Sequence, residues 1–261
     1  MFGHRATITQ AAGRVGTRHS PFGKGSLRPT IATVIHGIES MNSAEIHSLL
    51  SPYVAHRLHE AQADLVSRYV DLLLHWNRRV NLTAIREPEQ IVTRHFGESF
   101  FAASVLFPAG ASADSRLVDV GSGAGFPGLA MRIVVPGAVT LIESRQKKAV
   151  FLREASRSLG FSDVEVFGDR AERYLPPEGV SDLTVTMRAV ERFEESLPVA
   201  AAILGRGQSR QGRRDRLALL VGAEQAEQAR ELTPGISWLP PAQIPRSKQR
   251  VLLVGQAKAK G

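Results

Sequence analysis

Three glycines alternate along a short segment that directly follows an apolar run at residues 117–120. They are Gly121, Gly123 and Gly125. Glycine allows positive φ angles and a close approach of the backbone to a ligand. A strand, a glycine-rich loop and a helix in succession place that ligand at the carboxyl edge of a parallel sheet. The spacing alone is a weak signal, because a dinucleotide, a nucleoside or a tight turn would each suit it.

The residues that follow the loop argue against a ligand with a pyrophosphate. The dinucleotide fingerprint has only an imperfect counterpart here, from Gly123 to Gly128. Phe126 and Pro127 are bulky and stand where a pyrophosphate would need access to the helix N-terminus. Phe126 has two interpretations: it packs against a bound cofactor, which its place in the loop favours, or it fills the core beneath the loop.

Two acids follow the next two predicted strands. Glu143 lies 18 residues beyond Gly125, where a carboxylate can accept hydrogen bonds from both ribose hydroxyls of a nucleoside. The alternative is an ordinary surface acid at a strand end. Asp169 follows the third strand and could reach an adenine amino group. Together with the glycine loop, these acids predict a nucleoside pocket without a phosphate cradle, which suits S-adenosyl-L-methionine better than a nicotinamide cofactor.

Apolar runs alternate with helical periods in the second half of the chain. This alternation predicts an α/β fold with a mostly parallel sheet and helices on both faces. The predicted strands are 117–120, 139–142, 164–167, 183–186, 217–221 and 251–254, and the predicted helices are 128–134, 145–159 and 193–204.

The first half of the chain predicts helices. An apolar stripe at three- and four-residue steps predicts a helix over 52–77, and a second helix runs from 88 to about 106. We expect a helical segment at 41–114 that packs on a methyltransferase core at 115–261. Residues 1–40 carry five basic residues and one acid, a net charge of +4, and we expect a disordered extension. A transit peptide is the alternative, and Met41 would make a sensible start.

The composition excludes several classes of site. The chain has no cysteine, so disulfides, zinc–cysteine sites and thiol nucleophiles are excluded, and a reducing cytoplasm is expected. No apolar run reaches membrane-spanning length. The eight histidines have no ligand spacing, so we expect no metal. Half of the net charge of +8 lies beyond residue 40, which leaves the body mildly basic. Five arginines at 205–216 indicate a solvated insertion or a basic arm for nucleic acid.

The motifs and their order closely resemble the bacterial small-subunit ribosomal RNA methyltransferase G family, also called glucose-inhibited division protein B. The resemblance covers roughly residues 45–255. The matching stretches are Trp76-Asn77 with Asn81-Leu82-Thr83, Arg94-His95 with Glu98-Ser99, Val118 to Gly128, Lys147-Lys148 with Phe151-Leu152, Arg170-Ala171-Glu172, and Arg188-Ala189.

This resemblance implies a Rossmann-like class I fold with a seven-stranded sheet, and methylation at N7 of a guanine in 16S rRNA. The guanine would be nucleotide 527, in the 530 loop. The resemblance also implies a monomer whose partner is 16S rRNA or the small ribosomal subunit. Cofactor contacts would fall on Gly121, Phe126, Ala171, Glu172 and Arg188, with the ribose held by Glu143.

Arg188 ends the fourth predicted strand, where substrate meets cofactor in this architecture. It could orient the guanine through O6, hold the cofactor carboxylate, or form a structural salt bridge. Guanine N7 has a free lone pair, so no general base is expected. Candidate RNA contacts, each with a structural or solvated alternative, are Arg94, His95, Lys147, Lys148 and Arg250.

The chain departs from the family pattern in three places. Gly97-Glu98 stands where the family usually has Leu-Asp, and Val221-Gly222 stands where a lysine–glycine pair is usual. The insertion at 205–216 is the third departure. Three rival functions stay open: a non-catalytic rRNA-binding assembly factor, a small-molecule methyltransferase, and a nicotinamide oxidoreductase, which Phe126 and Pro127 disfavour.

Overall fold

A computed structural model describes residues 40–258, except residues 113, 179, 181, 191 and 207–214. The extension predicted for residues 1–40, apart from Ser40, lies outside the described residues. So does the centre of the insertion predicted at 205–216. Both stay predictions.

One sheet forms the centre of the described part of the chain. Its strand order is β3-β2-β1-β4-β5-β8-β6, and the short β7 pairs beside β8. Strands β1 to β5 are parallel, whereas β8 is antiparallel to β5 and pairs with β6 and β7 in the same sense. The strands are β1 (Ser115–Val120), β2 (Ala138–Ile142), β3 (Val164–Phe167), β4 (Asp182–Arg188), β5 (Arg216–Gly222), β6 (Ile236–Trp238), β7 (Ala242–Gln243) and β8 (Arg250–Ala257).

The central strands are mostly apolar because both faces of the sheet are covered. In β5, Leu217, Leu219 and Val221 face one buried cluster, while Ala218 and Leu220 face the other. The predicted mostly parallel sheet of a Rossmann-like fold is therefore confirmed, with eight strands in place of the seven that the resemblance implied, because the two-residue β7 pairs beside β8.

The chain reverses its direction across the sheet between β1 and β4. From β1 it moves outward to β2 and β3, and it then returns to β4 on the opposite side of β1. Val120 at the end of β1 is in register with Met187 near the end of β4. In open α/β sheets, ligands bind in the crevice at such a switch point. Gly121 and Arg188 both lie there.

The helices cover both faces of the sheet and supply an additional layer before β1. They are α1 (Ser43–Leu50), α2 (Glu60–Asn77), α3 (Pro88–Gln90), a π-helical segment (Ile91–Gly97), α4 (Glu98–Leu106), α5 (Gly128–Val134), α6 (Gln146–Ser158), a 3-10 turn (Ala171–Arg173), α7 (Phe193–Arg206) and α8 (Ala223–Leu232).

The first two helices begin at capping residues. Helix α1 begins with a capping box, in which Asn42 and Glu45 accept each other's backbone N–H. The helix predicted from residue 52 begins only at Glu60, because His59 and Gln62 form the capping pair there. Leu58 is buried but precedes the helix. Among the described residues, no helix is both long and apolar enough to span a bilayer.

Candidate active site

The glycine loop after β1 takes left-handed backbone angles at alternate residues. The φ angles are +70° at Gly121, +55° at Gly123 and +86° at Gly125, in the region that favours glycine. A Cβ at Gly125 would lie 2.0 Å from the hydroxyl of Tyr69, and that hydroxyl donates to the Ala124 carbonyl at 2.8 Å. Helix α2 therefore holds the loop from behind. Tyr69 belongs to the apolar stripe of this helix, and nothing in the sequence indicates its contact with the loop.

Asp119, the penultimate residue of β1, anchors the start of α5. It is fully buried, and its carboxylate accepts the Gly128 N–H at 3.1 Å and the Thr186 hydroxyl at 2.8 Å. Burial raises the pKa of Asp119 to about 6, against the lowering effect of these hydrogen bonds. Sequence analysis gave Asp119 no role, although an acid inside an apolar run is a usable signal.

This anchoring explains why the loop is a poor pyrophosphate site. Phosphates bind helix N-termini through free backbone N–H groups. Here the Gly128 N–H already donates to Asp119, whose carboxylate occupies the position of an anion. The physical cause is therefore a buried acid as well as the bulk of Phe126 and Pro127.

Glu143 closes the loop from the neighbouring strand. It is 6% exposed, and its two oxygens accept the N–H of Gly123 at 3.0 Å and of Arg145 at 2.8 Å. A carboxylate has about four acceptor positions, so these two bonds leave capacity for a pair of hydroxyl groups. The structure thus brings the predicted ribose acid into contact with the predicted glycine loop.

The residues after β3 form an exposed, ion-paired turn at the same edge. Asp169 pairs with Arg173 at 3.0 Å, and Arg170 pairs with Glu172 at 2.8 Å. The Arg170 N–H and the Arg173 side chain lower the pKa of Asp169. The carbonyl of Ala171 accepts from Arg206 at 3.2 Å. The cofactor contacts predicted for Asp169, Ala171 and Glu172 stay predictions.

Phe126 packs between the loop and the helical layer. Its ring is 5.5 Å from Tyr69 and 4.6 Å from His95, both in near-parallel stacking, and it meets Phe96 edge-on at 5.1 Å. It is almost fully buried. These contacts place the side chain of Phe126 in the core beneath the loop. A contact between Phe126 and the cofactor stays a prediction.

Arg188 ends β4 inside a cluster of charged side chains. Its Nη2 lies 3.2 Å from the Glu98 carboxylate and donates to the Arg94 carbonyl at 2.8 Å. Glu98 also pairs with Arg94 at 3.5 Å and, through a short hydrogen bond, with Arg250. We call Arg94, Glu98, Arg188 and Arg250 the arginine cluster. Burial lowers the pKa of Arg188 to about 10, with Glu98 acting in the opposite direction.

His95 lies beside the arginine cluster in its neutral form. Burial, and next Arg188, Arg250 and Arg94, lower its pKa to about 2. Its Nε2 is 2.8 Å from the Thr83 hydroxyl.

Three buried side-chain atoms of the described residues have no hydrogen-bond partner: His95 Nδ1, Glu98 Oε2 and Arg188 Nη1. Buried polar atoms are rarely left in this state. All three lie in or beside the arginine cluster.

The Gly97-Glu98 departure has a structural counterpart. A Cβ at Gly97 would lie 2.7 Å from the ring of Tyr53, so only glycine leaves room for this ring.

Arg250 is in register with Gly222 and lies at the carboxyl end of β5. The other predicted RNA contacts, Lys147 and Lys148, begin α6 after β2, two strands away from β4. The structure does not bring these lysines into the arginine cluster.

Comparison with known proteins agrees with this geometry. Residues 62–212 match the rRNA small subunit methyltransferase G family. The enzyme of that name from Chromobacterium violaceum is 36% identical over 157 residues, which is 60% of this chain and 71% of the relative. That from Dichelobacter nodosus is 44% identical over 136 residues, 52% and 61% of the two chains. The chain belongs to the rRNA small subunit methyltransferase G family.

Solved structures support the fold class. A SAM-dependent methyltransferase from Aquifex aeolicus is 18% identical with a TM-score of 0.51, covering 68% of this chain and 97% of its own. Magnesium protoporphyrin IX methyltransferase from Synechocystis PCC 6803, with bound SAM, is 12% identical with a TM-score of 0.53, covering 78% and 100%. At these identities the likeness concerns the fold alone. Family membership makes the chain an S-adenosylmethionine-dependent rRNA methyltransferase, as the sequence predicted.

The residues at the edge fit this cofactor. Positive φ angles at Gly121 and Gly123 leave the backbone open to a nucleoside, and a Cβ at Gly123 would find no atom nearer than 3.8 Å. Glu143 retains acceptor positions, and Asp119 excludes a phosphate from the helix start. Within the described residues, no group of three acidic, histidine or cysteine side chains is placed to hold a metal ion.

Proposed function

We propose that this methyltransferase acts on N7 of a guanine in 16S rRNA, at nucleotide 527 in the 530 loop. One observation carries the proposal. Arg188 ends β4 at the switch point, and its Nη1 is buried without a partner while Nη2 is held by Glu98 and the Arg94 carbonyl. A guanidinium fixed on one side, with a free donor on the other, suits a guanine O6 or a carboxylate.

Methylation at N7 requires little acid–base catalysis by the protein. The cofactor supplies the methyl group, and the N7 lone pair is available without loss of a proton. Because no proton must leave before attack, a dedicated base has no task. Positioning of two reactants in line can contribute roughly 7–11 kcal/mol in favourable cases. The work of this chain is therefore to hold and align both partners.

Each element has a part in that alignment. Gly121, Gly123 and Gly125 give the nucleoside a close backbone surface, and Glu143 accepts from the ribose hydroxyls. Arg188 holds the guanine or the cofactor carboxylate at the adjoining strand. His95 is neutral, so it adds no further positive charge beside a base that becomes cationic on methylation.

The test is a map of N7-methylguanine in 16S rRNA from cells with and without the gene, compared with cells carrying Arg188→Ala. We expect one modified guanine in the 530 loop with the wild type, and a loss of at least about 100-fold in rate for the variant. Arg192→Ala, which removes an exposed arginine paired with Glu195, is the matched control. Undiminished methylation by Arg188→Ala would remove this arginine from the site, and an unmodified 530 loop in wild-type cells would refute the proposal.

A further inference from the structure

One buried carboxylate serves three arginines at the carboxyl edge of the sheet. Glu98 Oε1 meets Arg94 and Arg250, and Glu98 Oε2 meets Arg188. The side chain of Glu98 is 2% exposed, whereas those of Arg250 and Arg94 are 22% and 51% exposed. The cluster therefore runs from a buried anion to cations that reach the surface.

We propose that Glu98 is a positioning residue that aligns Arg94 and Arg250 as a binding site for a phosphodiester of the substrate RNA. The proposal deepens the proposed function and rests on it. It gives Arg94 and the half-buried Arg250 a common task that is distinct from that of Arg188.

The charges of the cluster favour an anion. Three arginines share a single carboxylate, and His95 beside them is neutral because burial lowers its pKa to about 2. The cluster thus carries an excess of two positive charges in partly buried surroundings, where screening by solvent is weak. A phosphodiester group carries one negative charge and accepts hydrogen bonds from arginine in a paired geometry.

The geometry leaves donors available for that anion. Arg94 reaches Glu98 through Nε, and Arg250 reaches it through Nη2. The remaining guanidinium N–H groups of both side chains are not used in this ion pair. Because both arginines contact the same oxygen, Glu98 Oε1, their guanidinium groups are held next to each other. A single phosphate can therefore meet both.

The position also suits the substrate. Arg250 begins β8 opposite Gly222, at the carboxyl end of β5, and the order β1-β4-β5-β8 sets it two strands from β4. Adjacent strands are about 4.8 Å apart, so the backbone of Arg250 lies about 10 Å from the end of β4, and its side chain reaches back to Glu98. An RNA strand whose base enters between β1 and β4 carries a phosphate across this short distance.

The test uses affinity for a 16S rRNA fragment containing the 530 loop, measured by fluorescence anisotropy at several salt concentrations. Glu98→Gln separates positioning from charge because the two predict opposite signs. Loss of a negative charge alone would tighten RNA binding. Loss of alignment weakens it, and we expect about a tenfold weaker affinity for Glu98→Gln and partial recovery with Glu98→Asp.

Three further variants complete the design. Arg94→Gln and Arg250→Gln should each weaken binding, and the double variant should lower the salt slope by about one, because both arginines meet the same phosphate. In the Arg94→Gln/Arg250→Gln background, Glu98→Gln should have no additional effect on RNA affinity, since coupled residues are not additive. Glu165→Gln, which removes the partner of Arg116 on an exposed strand position, is the control and should behave as wild type or bind slightly tighter.

Thermal melting verifies that each variant folds, and calorimetry with S-adenosylmethionine gives a readout separate from RNA and from methyl transfer. The proposal is overturned by tighter or unchanged RNA binding for Glu98→Gln. It is also overturned if Glu98→Gln weakens binding equally in both backgrounds, or lowers only cofactor affinity, since Glu98 would then act through Arg188. Expected RNA binding by a wild type that forms no N7-methylguanine would refute the proposed function and leave this site intact.

Discussion

The glycine-loop half of the carboxyl edge and the arginine cluster differ in the partners of their buried charged groups. Asp119 and Glu143 on the loop side each accept hydrogen bonds from backbone N–H groups at fixed positions. On the cluster side, Glu98 faces only side chains and a cation excess, and three buried polar atoms lack partners. The buried carboxylates of the loop half are thus held by backbone donors, whereas the arginine cluster keeps unpartnered polar atoms, as our proposal of a phosphate site requires.

This difference suits the two halves of the sheet edge to different ligands. Backbone donors keep their geometry whatever the side chains do, so the loop half offers a rigid surface, which suits the cofactor site that we predict there. Guanidinium groups on flexible stems bind planar anions and bases, and they need an internal anion to align them. The cluster therefore suits a large polyanionic substrate. The two halves should respond differently to substitution.

The largest effect is expected for Gly125→Ala in the loop half. The added Cβ would lie 2.0 Å from the Tyr69 hydroxyl and 3.1 Å from Leu129, at a φ of +86°. Overpacking and the positive φ together should lower the free energy of unfolding by about 2–5 kcal/mol. Urea denaturation followed by circular dichroism measures this loss, and calorimetry should find cofactor affinity at least tenfold weaker.

Two variants sharpen this prediction. Gly160 has a φ of +79° but no atom within 4 Å of an added Cβ, so Gly160→Ala isolates the backbone cost, about 1 kcal/mol. Adding Tyr69→Phe to Gly125→Ala removes the hydroxyl that the Cβ would meet and should restore part of the stability. Equal losses for both glycine variants would contradict the account of a loop held from behind by α2.

A smaller effect concerns the pH dependence of stability, which should differ in sign between the two halves. Burial lowers the pKa of His95 to about 2. The neutral imidazole therefore makes its full contribution to the free energy of unfolding above about pH 6.5, and this contribution is lost as the pH falls below that value. Burial raises the pKa of Asp119 to about 6. Its contribution to the free energy of unfolding is therefore complete below its pKa in the unfolded chain, near 4, and is lost as the pH rises through 6.

The measurement compares unfolding free energies of wild type, His95→Phe and Asp119→Asn between pH 7 and pH 5. Over this range the advantage of wild type over His95→Phe should shrink by about 2 kcal/mol. Its advantage over Asp119→Asn should grow by about 1 kcal/mol. Each variant serves as the control of the other, and a change of the same sign for both would show that the two buried environments are not opposite.

The sheet could be predicted from the sequence because its strands are apolar on both faces and stand out as short runs. The strand at residues 164–167 was predicted with its observed bounds, and the others within three residues. Helix α8 lacks such a signal, since only Ala226 and Ala229 of its ten residues are buried. The short strands β6 and β7 depend on pairing with β8 and have no pattern of their own.

The site divides in the same way. The loop and Glu143 are visible because parallel strands bring the ends of neighbouring apolar runs to one edge. The arginine cluster joins Glu98 to Arg250, 152 positions further along the chain, and depends on the register of β8 against β5. Arg94, Arg188 and Arg250 were predicted singly as functional residues. Nothing in the sequence indicated that one carboxylate serves all three arginines.

The smallest effect is expected at Asp169, which tests how far the loop half extends along the edge. Its pairing with Arg173 is on an exposed turn, so Asp169→Ala should leave stability nearly unchanged. If the carboxylate accepts a hydrogen bond from the adenine amino group, calorimetry should find cofactor affinity lower by about fivefold. Arg173→Ala keeps the acid and is the matched control. An analogue with hypoxanthine in place of adenine lacks the amino donor, so Asp169→Ala should not weaken its binding. The same fivefold loss with both ligands would assign Asp169 to shaping the turn, and the rigid cofactor surface would then end at Glu143.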